Sequence, residues 1–165
     1  MNVVNSFDQL SERSAMGMTS EARPPTRAPA SVFTLRKSGS RPVSFSGRHA
    51  GFASGYRAGT PLWHELNLYQ TDDGHFVADI RVFSKAQGSR DQFHVVVADS
   101  VEEALQFFES YDPRGDVQAD FDLADPDLAP AELMVHAATL KYRIAETASQ
   151  YRALLAVFLH QLSNA

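Results

Sequence analysis

Six histidines and twenty carboxylates are the residues with chemistry to offer in this 165-residue chain, and their spacing decides how much of it is usable. His64-Glu65 opens like a metallohydrolase helix, but that pattern needs a second histidine on the same face where Leu68 stands. The zinc-deaminase pattern needs cysteines, and the chain has none. The same lack excludes disulfide frameworks, thiolate zinc sites and cysteine nucleophiles. His64, His75 and His94 fall in or beside neighbouring predicted strands, where three imidazoles could meet around a metal if the register allowed it. Isolated strand histidines more often bond to neighbours or to water. The glycine-rich run Gly51–Gly55 lacks both the Gly-x-Ser-x-Gly spacing of a nucleophile elbow and the Gly-Lys-Ser/Thr ending of a phosphate loop. No residue is therefore assigned as catalytic, metal-ligating or cofactor-binding.

Charge is distributed more informatively. Residues 1–60 carry eight Lys and Arg against three Asp and Glu, whereas residues 61–165 carry seven against seventeen. Between residues 31 and 60 no acid occurs, and Arg36, Lys37, Arg41, Arg48 and Arg57 are interleaved with Phe33, Phe45, Phe52 and Tyr56. Cations among rings on which bases can stack are what single-stranded nucleic-acid binders use. The opposing consideration is the net charge of −5, which weakens long-range attraction to phosphate. Downstream, the stretch from Glu109 to Asp127 gathers seven acids, Asp120 and Asp122 among them, against Arg114 alone. Its Asp-rich run from Asp120 to Asp127 lacks the turn glycine of a calcium loop, so it reads as a solvated segment or a dock for a basic partner.

Local pattern predicts the elements that must carry these residues. The run EARPPTRAPA from Glu21 to Ala30 typifies residues 1–30, which lack helical or strand periodicity and read as a disordered tail. Apolar pulses at 32–35 and 42–45 predict a first hairpin, and Gly47, Gly51, Gly55 and Gly59 predict a loop after it, since each glycine disfavours a helix by about 1 kcal/mol relative to alanine. A second hairpin joins 62–69 to 75–83 through Asp73-Gly74, a dipeptide that tolerates positive φ in a tight turn. A third strand follows at 93–98. Ser100-Val101-Glu102-Glu103 is a capping box that starts a short helix ending near Tyr111, and a short strand is possible at 117–121.

Pro130 suits the first position of a last helix with apolar residues at Leu133, Ala137, Leu140, Ile144, Ala148, Tyr151, Leu155, Phe158 and Leu162. These steps average nearer 3.6 than 3.5, which favours packing on a sheet or partner over a long coiled coil. At 1.5 Å per residue the helix reaches on the order of 50 Å, longer than so small a sheet can cover.

The expectation is an α+β fold: an antiparallel meander of four to five strands with one short capped helix and one long C-terminal amphipathic helix packed on it. Its expected divisions are a tail over 1–30, a core over 31–128 and the helix over 129–165. The N-terminus has no positively charged start followed by an apolar run of signal-peptide length, and no run of about 18 apolar residues occurs, so neither export nor membrane spanning is expected and a cytoplasmic address is the default. The leading functional expectation is a small non-enzymatic interaction or regulatory protein. It would bind a protein partner, or its own copy, through Tyr151, Leu155, Phe158 and Leu162 of the helix and Asp120 and Asp122 of the acidic segment. The first alternative is a nucleic-acid-binding accessory factor using Arg36, Lys37, Arg41, Arg48 and Arg57. The second is an enzyme with a dispersed carboxylate or histidine site, which leaves no local signature.

Overall fold

The structure, a computed structural model, describes residues 31–164; the tail expected over residues 1–30 lies outside them. Five strands, β1 (Ser31–Leu35), β2 (Val43–Ser54), β3 (Leu62–Thr71), β4 (Phe76–Ser84) and β5 (Gln92–Ala98), form one antiparallel sheet in sequence order. Helix α1 (Val101–Ser110), a 3-10 turn at Pro113–Asp116 and helix α2 (Pro130–Ser163) complete the α+β arrangement. Sequence order in the sheet follows from the connections, each short enough for a hairpin. At the β3–β4 turn Gly74 takes φ +93°, the conformation for which Asp73-Gly74 is suited.

Alternation along the strands sorts side chains onto two faces. On the outer face Leu66, Leu68, Ala78, Ile80 and Val82 pack against Ala104 and Phe108 of α1 and Tyr151, Leu154 and Phe158 of α2 in one buried cluster. Helix α1 begins where Ser100 Oγ accepts from the Glu103 amide at 3.2 Å. Glu103 in turn accepts from the Asp99 amide at 2.9 Å, one residue ahead of the cap itself.

Two local expectations differ from the structure. The glycine-spaced segment is not a loop up to Ser54: Gly47 and Gly51 lie inside β2, a twelve-residue strand. Glycine serves close approach there. A Cβ on Gly47 would collide with the Gln70 carbonyl of β3, and one on Gly51 would sit 2.6 Å from the Leu162 side chain of α2. Residues 117–121, where a strand was possible, have no strand partner and run irregularly after the 3-10 turn. Asp116, held by His64 and Tyr111, and packing against α2 fix that turn, and Gln118 just after it accepts from Ser89 in the β4–β5 connection at 3.4 Å.

The sheet is curled. The Ser38 amide, in the β1–β2 turn, donates to the Phe93 carbonyl of β5 at 2.9 Å, and the Phe93 amide donates to Ser38 Oγ at 2.8 Å. The first hairpin thus reaches the last strand, and the inner face closes at that end over Leu35, Tyr69, Val77 and Val95, with Phe33, Val43 and Phe45 packed against them. A bulge between His49 and Gly51 shifts the phase of β2, so that His49 before it and Phe52 after it share this inner face.

Candidate functional site

Two groups of titratable side chains are buried, one on each face. On the outer face His64 Nε2 lies 2.8 Å from Asp116 Oδ2, and the Tyr111 hydroxyl donates to the same carboxylate at 2.8 Å. Tyr151 donates to the Phe108 carbonyl at 2.8 Å. Burial, reinforced by the negative charge of Asp116, pushes both phenols well above their ordinary pKa, so they remain donors. A tyrosine, a carboxylate and an imidazole in series is the material of acid-base catalysis. Yet His64 is 3% and Asp116 9% exposed, and the chain bonds close on themselves. We read the set as a clasp holding the 3-10 turn and α2 on the sheet. His94, against the Tyr111 ring at 5.2 Å, has a buried Nε2 without a hydrogen-bond partner among the described residues, and burial holds its pKa below the ordinary value.

The inner face has a different character. Asp79 of β4 is 1% exposed; its Oδ2 accepts from Arg81 Nε at 2.7 Å and from Asn67 Nδ2 at 3.5 Å, while Oδ1 has no partner among the described residues. Burial raises the pKa of Asp79 against the opposing pull of Arg81. Asn67 Oδ1 lies 3.1 Å from His49 Nε2, whose ring stacks on Tyr69 at 4.6 Å. Arg81 reaches the Tyr69 hydroxyl at 3.5 Å and remains about a third exposed, at 30%. The carboxylate thus fixes a guanidinium that still meets solvent.

Beside this polar centre the inner face carries a row of rings. Tyr56 meets Trp63 edge-on at 5.0 Å, Trp63 stacks on its cross-strand partner Phe83 at 5.2 Å, and Phe83 meets Phe93 edge-on at 6.4 Å. Cations lie over both ends: Lys85 is 5.3 Å from the Tyr56 ring and 5.5 Å from Trp63, and Arg36 is 5.1 Å from Phe93. Alternation puts these strand residues on the inner face because the apolar outer positions, Leu66 or Ile80, are taken by the helix core. Among the described residues no helix covers the row.

The basic stretch is dispersed by folding. Arg36 joins the row, whereas Lys37 and Arg41 stay exposed in the β1–β2 turn. Arg48 points to the outer face, where it donates to Gln70 Oε1 at 3.0 and 2.5 Å. Arg57 lines a cleft of about 480 Å³ with Arg143 and Glu146 of α2. Of the helix residues singled out by pattern, Tyr151 and Phe158 lie in the monomer's own core at 2% and 0% exposure, and Leu155 and Leu162 pack against that core partly buried. Asp120 lies 3.5 Å from Arg143, and Asp122 accepts from the Ala124 amide at 2.9 Å in a local turn.

His64-Glu65 sits on a strand, and β3–β4 pairing sets His64 opposite Val82, far along β4 from His75 in the turn. Among the described residues no group of three or more His, Asp or Glu is placed to hold a metal ion. Nor is any helix of the described residues long and apolar enough to cross a membrane. Lys85, Arg81 and the rings of three separate strands were not singled out by sequence. Alternation plus the known hairpin register could have placed Trp63 opposite Phe83, but nothing local brings Phe93 and Arg36 to them. Comparison with known protein families, curated proteins and solved structures found no match.

Proposed function

We propose that the protein binds single-stranded nucleic acid on the inner face of its curled sheet. Bases stack on Tyr56, Trp63, Phe83 and Phe93, and Arg36, Arg81 and Lys85 meet the backbone or base edges. The observation that carries this reading is the continuous ring row with a cation over each end, on the sheet face that no described helix covers. Asp120 to Asp127 lie beside α2 rather than at the row, whose own face carries Glu65 and Asp79 beside Arg36, Arg81 and Lys85. A cytoplasmic address is part of the same proposal, for a cysteine-free chain whose ligand is found there.

Trp63 is the chain's single tryptophan and reports directly on the row. Its fluorescence is expected to be quenched by a mixed single-stranded oligonucleotide, with affinity falling between low and moderate salt. Tyr56→Ala, at a 53% exposed position, should weaken binding on the order of 10-fold, the scale of one stacked base, without unfolding the protein. An unquenched Trp63 at low salt would remove the proposal.

A second reading, a regulatory protein that binds another protein through α2, is supported by apolar side chains left exposed on that helix: Met134 at 74%, Val135 at 65% and Tyr142 at 67%. The experiment that separates it from the first is whether Tyr142→Asp leaves oligonucleotide quenching unchanged.

A further inference from the structure

Helix α2 has two apolar sides, and the fold uses one. Thr147, Tyr151, Leu154 and Phe158 are buried against the sheet, all in the second half of the helix. In the first half, from Pro130 to Tyr142, no residue is buried, although the segment is helical throughout. Its cover there is the irregular acidic segment, with Phe121 stacked on His136 at 5.3 Å and Asp120 near Arg143. A helix of that length owes its stability to packing of an apolar face more than to propensity.

On the side facing away from the sheet, Ala131, Val135, Ala138, Tyr142, Ala145 and Ser149 follow one another in alternating steps of four and three, and all six are exposed. That is the heptad seam of a two-helix coiled coil, distinct from the buried side. The seam is anchored by Val135 and Tyr142, flanked by Met134, and interrupted at its C-terminal end by Arg152.

We propose that α2 pairs with the α2 of a second copy of this chain, parallel and in register, through this outer seam. Charge settles the orientation. Lys141 precedes the seam residue Tyr142, and Glu146 follows the seam residue Ala145, five positions on. In a parallel pair a flanking cation and an acid five residues later face each other across the seam, so each Lys141 meets the partner copy's Glu146 and symmetry makes two such pairs. An antiparallel pair would set the Lys141 flank against itself. Among the described residues Lys141 has no ion-pair partner within its own chain. The pairing names the partner for the reading that assigns α2 a protein-binding role, and it leaves the inner face of each sheet open.

Because the chain has no cysteine, single introduced thiols report the geometry in the full-length protein. Under mild oxidation Ala138→Cys and Ala145→Cys should each form a disulfide-linked dimer, while Ser110→Cys, exposed at the end of α1, should not. Light scattering should show Tyr142→Asp as a folded monomer, since that side chain is 67% exposed and its loss leaves the core intact. Lys141→Glu should raise the dimer dissociation constant at least about 10-fold at low salt, and adding Glu146→Lys should restore it. A wild-type chain that stays monomeric at about 100 μM overturns the pairing, whatever oligonucleotide quenching shows. A dimer that cross-links at neither Ala138→Cys nor Ala145→Cys overturns it equally, because its seam or direction is then another.

Discussion

The two faces of the sheet bury a carboxylate each, on opposite terms. On the outer face Asp116 has His64 on one oxygen and the Tyr111 hydroxyl within reach of both, and helices close over it. On the inner face Asp79 is more deeply buried, with a raised pKa, a single strong partner, Arg81, and among the described residues no donor to its Oδ1. In the proposed reading, what the Asp79–Arg81 pair supplies is the fixed position of Arg81 beside the ring row.

Removing the satisfied acid should have the largest effect. Asp116→Ala leaves His64 buried without its partner and frees the Tyr111 hydroxyl, which is expected to cost about 3 kcal/mol in urea unfolding. A midpoint unchanged by the substitution would mean that the clasp reading is wrong. Oligonucleotide binding by the molecules that remain folded should be unaffected.

Acid should act next, and on the outer face. Burial depresses the folded-state pKa of His94 below its ordinary 6.5, so the unfolded chain binds the proton first as pH falls. The stability due to a neutral His94 is complete above pH 6.5 and is lost as pH drops from there through the folded-state value. Unfolding midpoints measured from pH 8 down to 5.5 should therefore fall more steeply for the wild type than for His94→Phe. Parallel curves would show that His94 is accommodated in the charged form.

The smallest change in stability, and the sharpest contrast, belongs to Asp79→Asn. A carboxylate whose folded-state pKa is raised is destabilising at neutral pH and less so once pH falls through that value. The amide variant is thus expected to match the wild type within about 1 kcal/mol at pH 7, or to exceed it. Binding should nevertheless weaken, since Arg81 loses the partner that orients it. A variant that unfolds like Asp116→Ala would erase the distinction between the faces.

Most of the fold was legible because its signals are local. The Asp73-Gly74 turn fixes the hairpin, Ser100 fixes the start of α1, and Pro130 and the spacing of Tyr151 and Phe158 fix α2. Strand β2 was misread past Phe45 because glycine's usual meaning, a flexible link, conceals its other use, room for a neighbour. Only the tertiary approach of Gln70 to Gly47 and of Leu162 to Gly51 distinguishes the two. The candidate site was legible in kind but not in membership. Rings among cations suggested a base-binding surface, yet of the four rings that form the candidate row only Tyr56 lies in the stretch that showed the pattern, while Trp63, Phe83 and Phe93 lie outside it, and strand alternation turns Arg48 to the face opposite His49. Sequence order could not anticipate a surface assembled across three strands.

The pair of hydrogen bonds between Ser38 and Phe93 has a consequence in time. Each hairpin joins neighbours a few residues apart, but this contact closes a loop of 55 residues, and the entropy of closure grows with the length closed. During synthesis β1 to β4 can pair as they emerge, while the curl must wait for β5. Until that strand arrives the ring row has no Phe93 and Arg36 has no ring to lie over, so in the proposed reading a half-made chain presents no complete binding face.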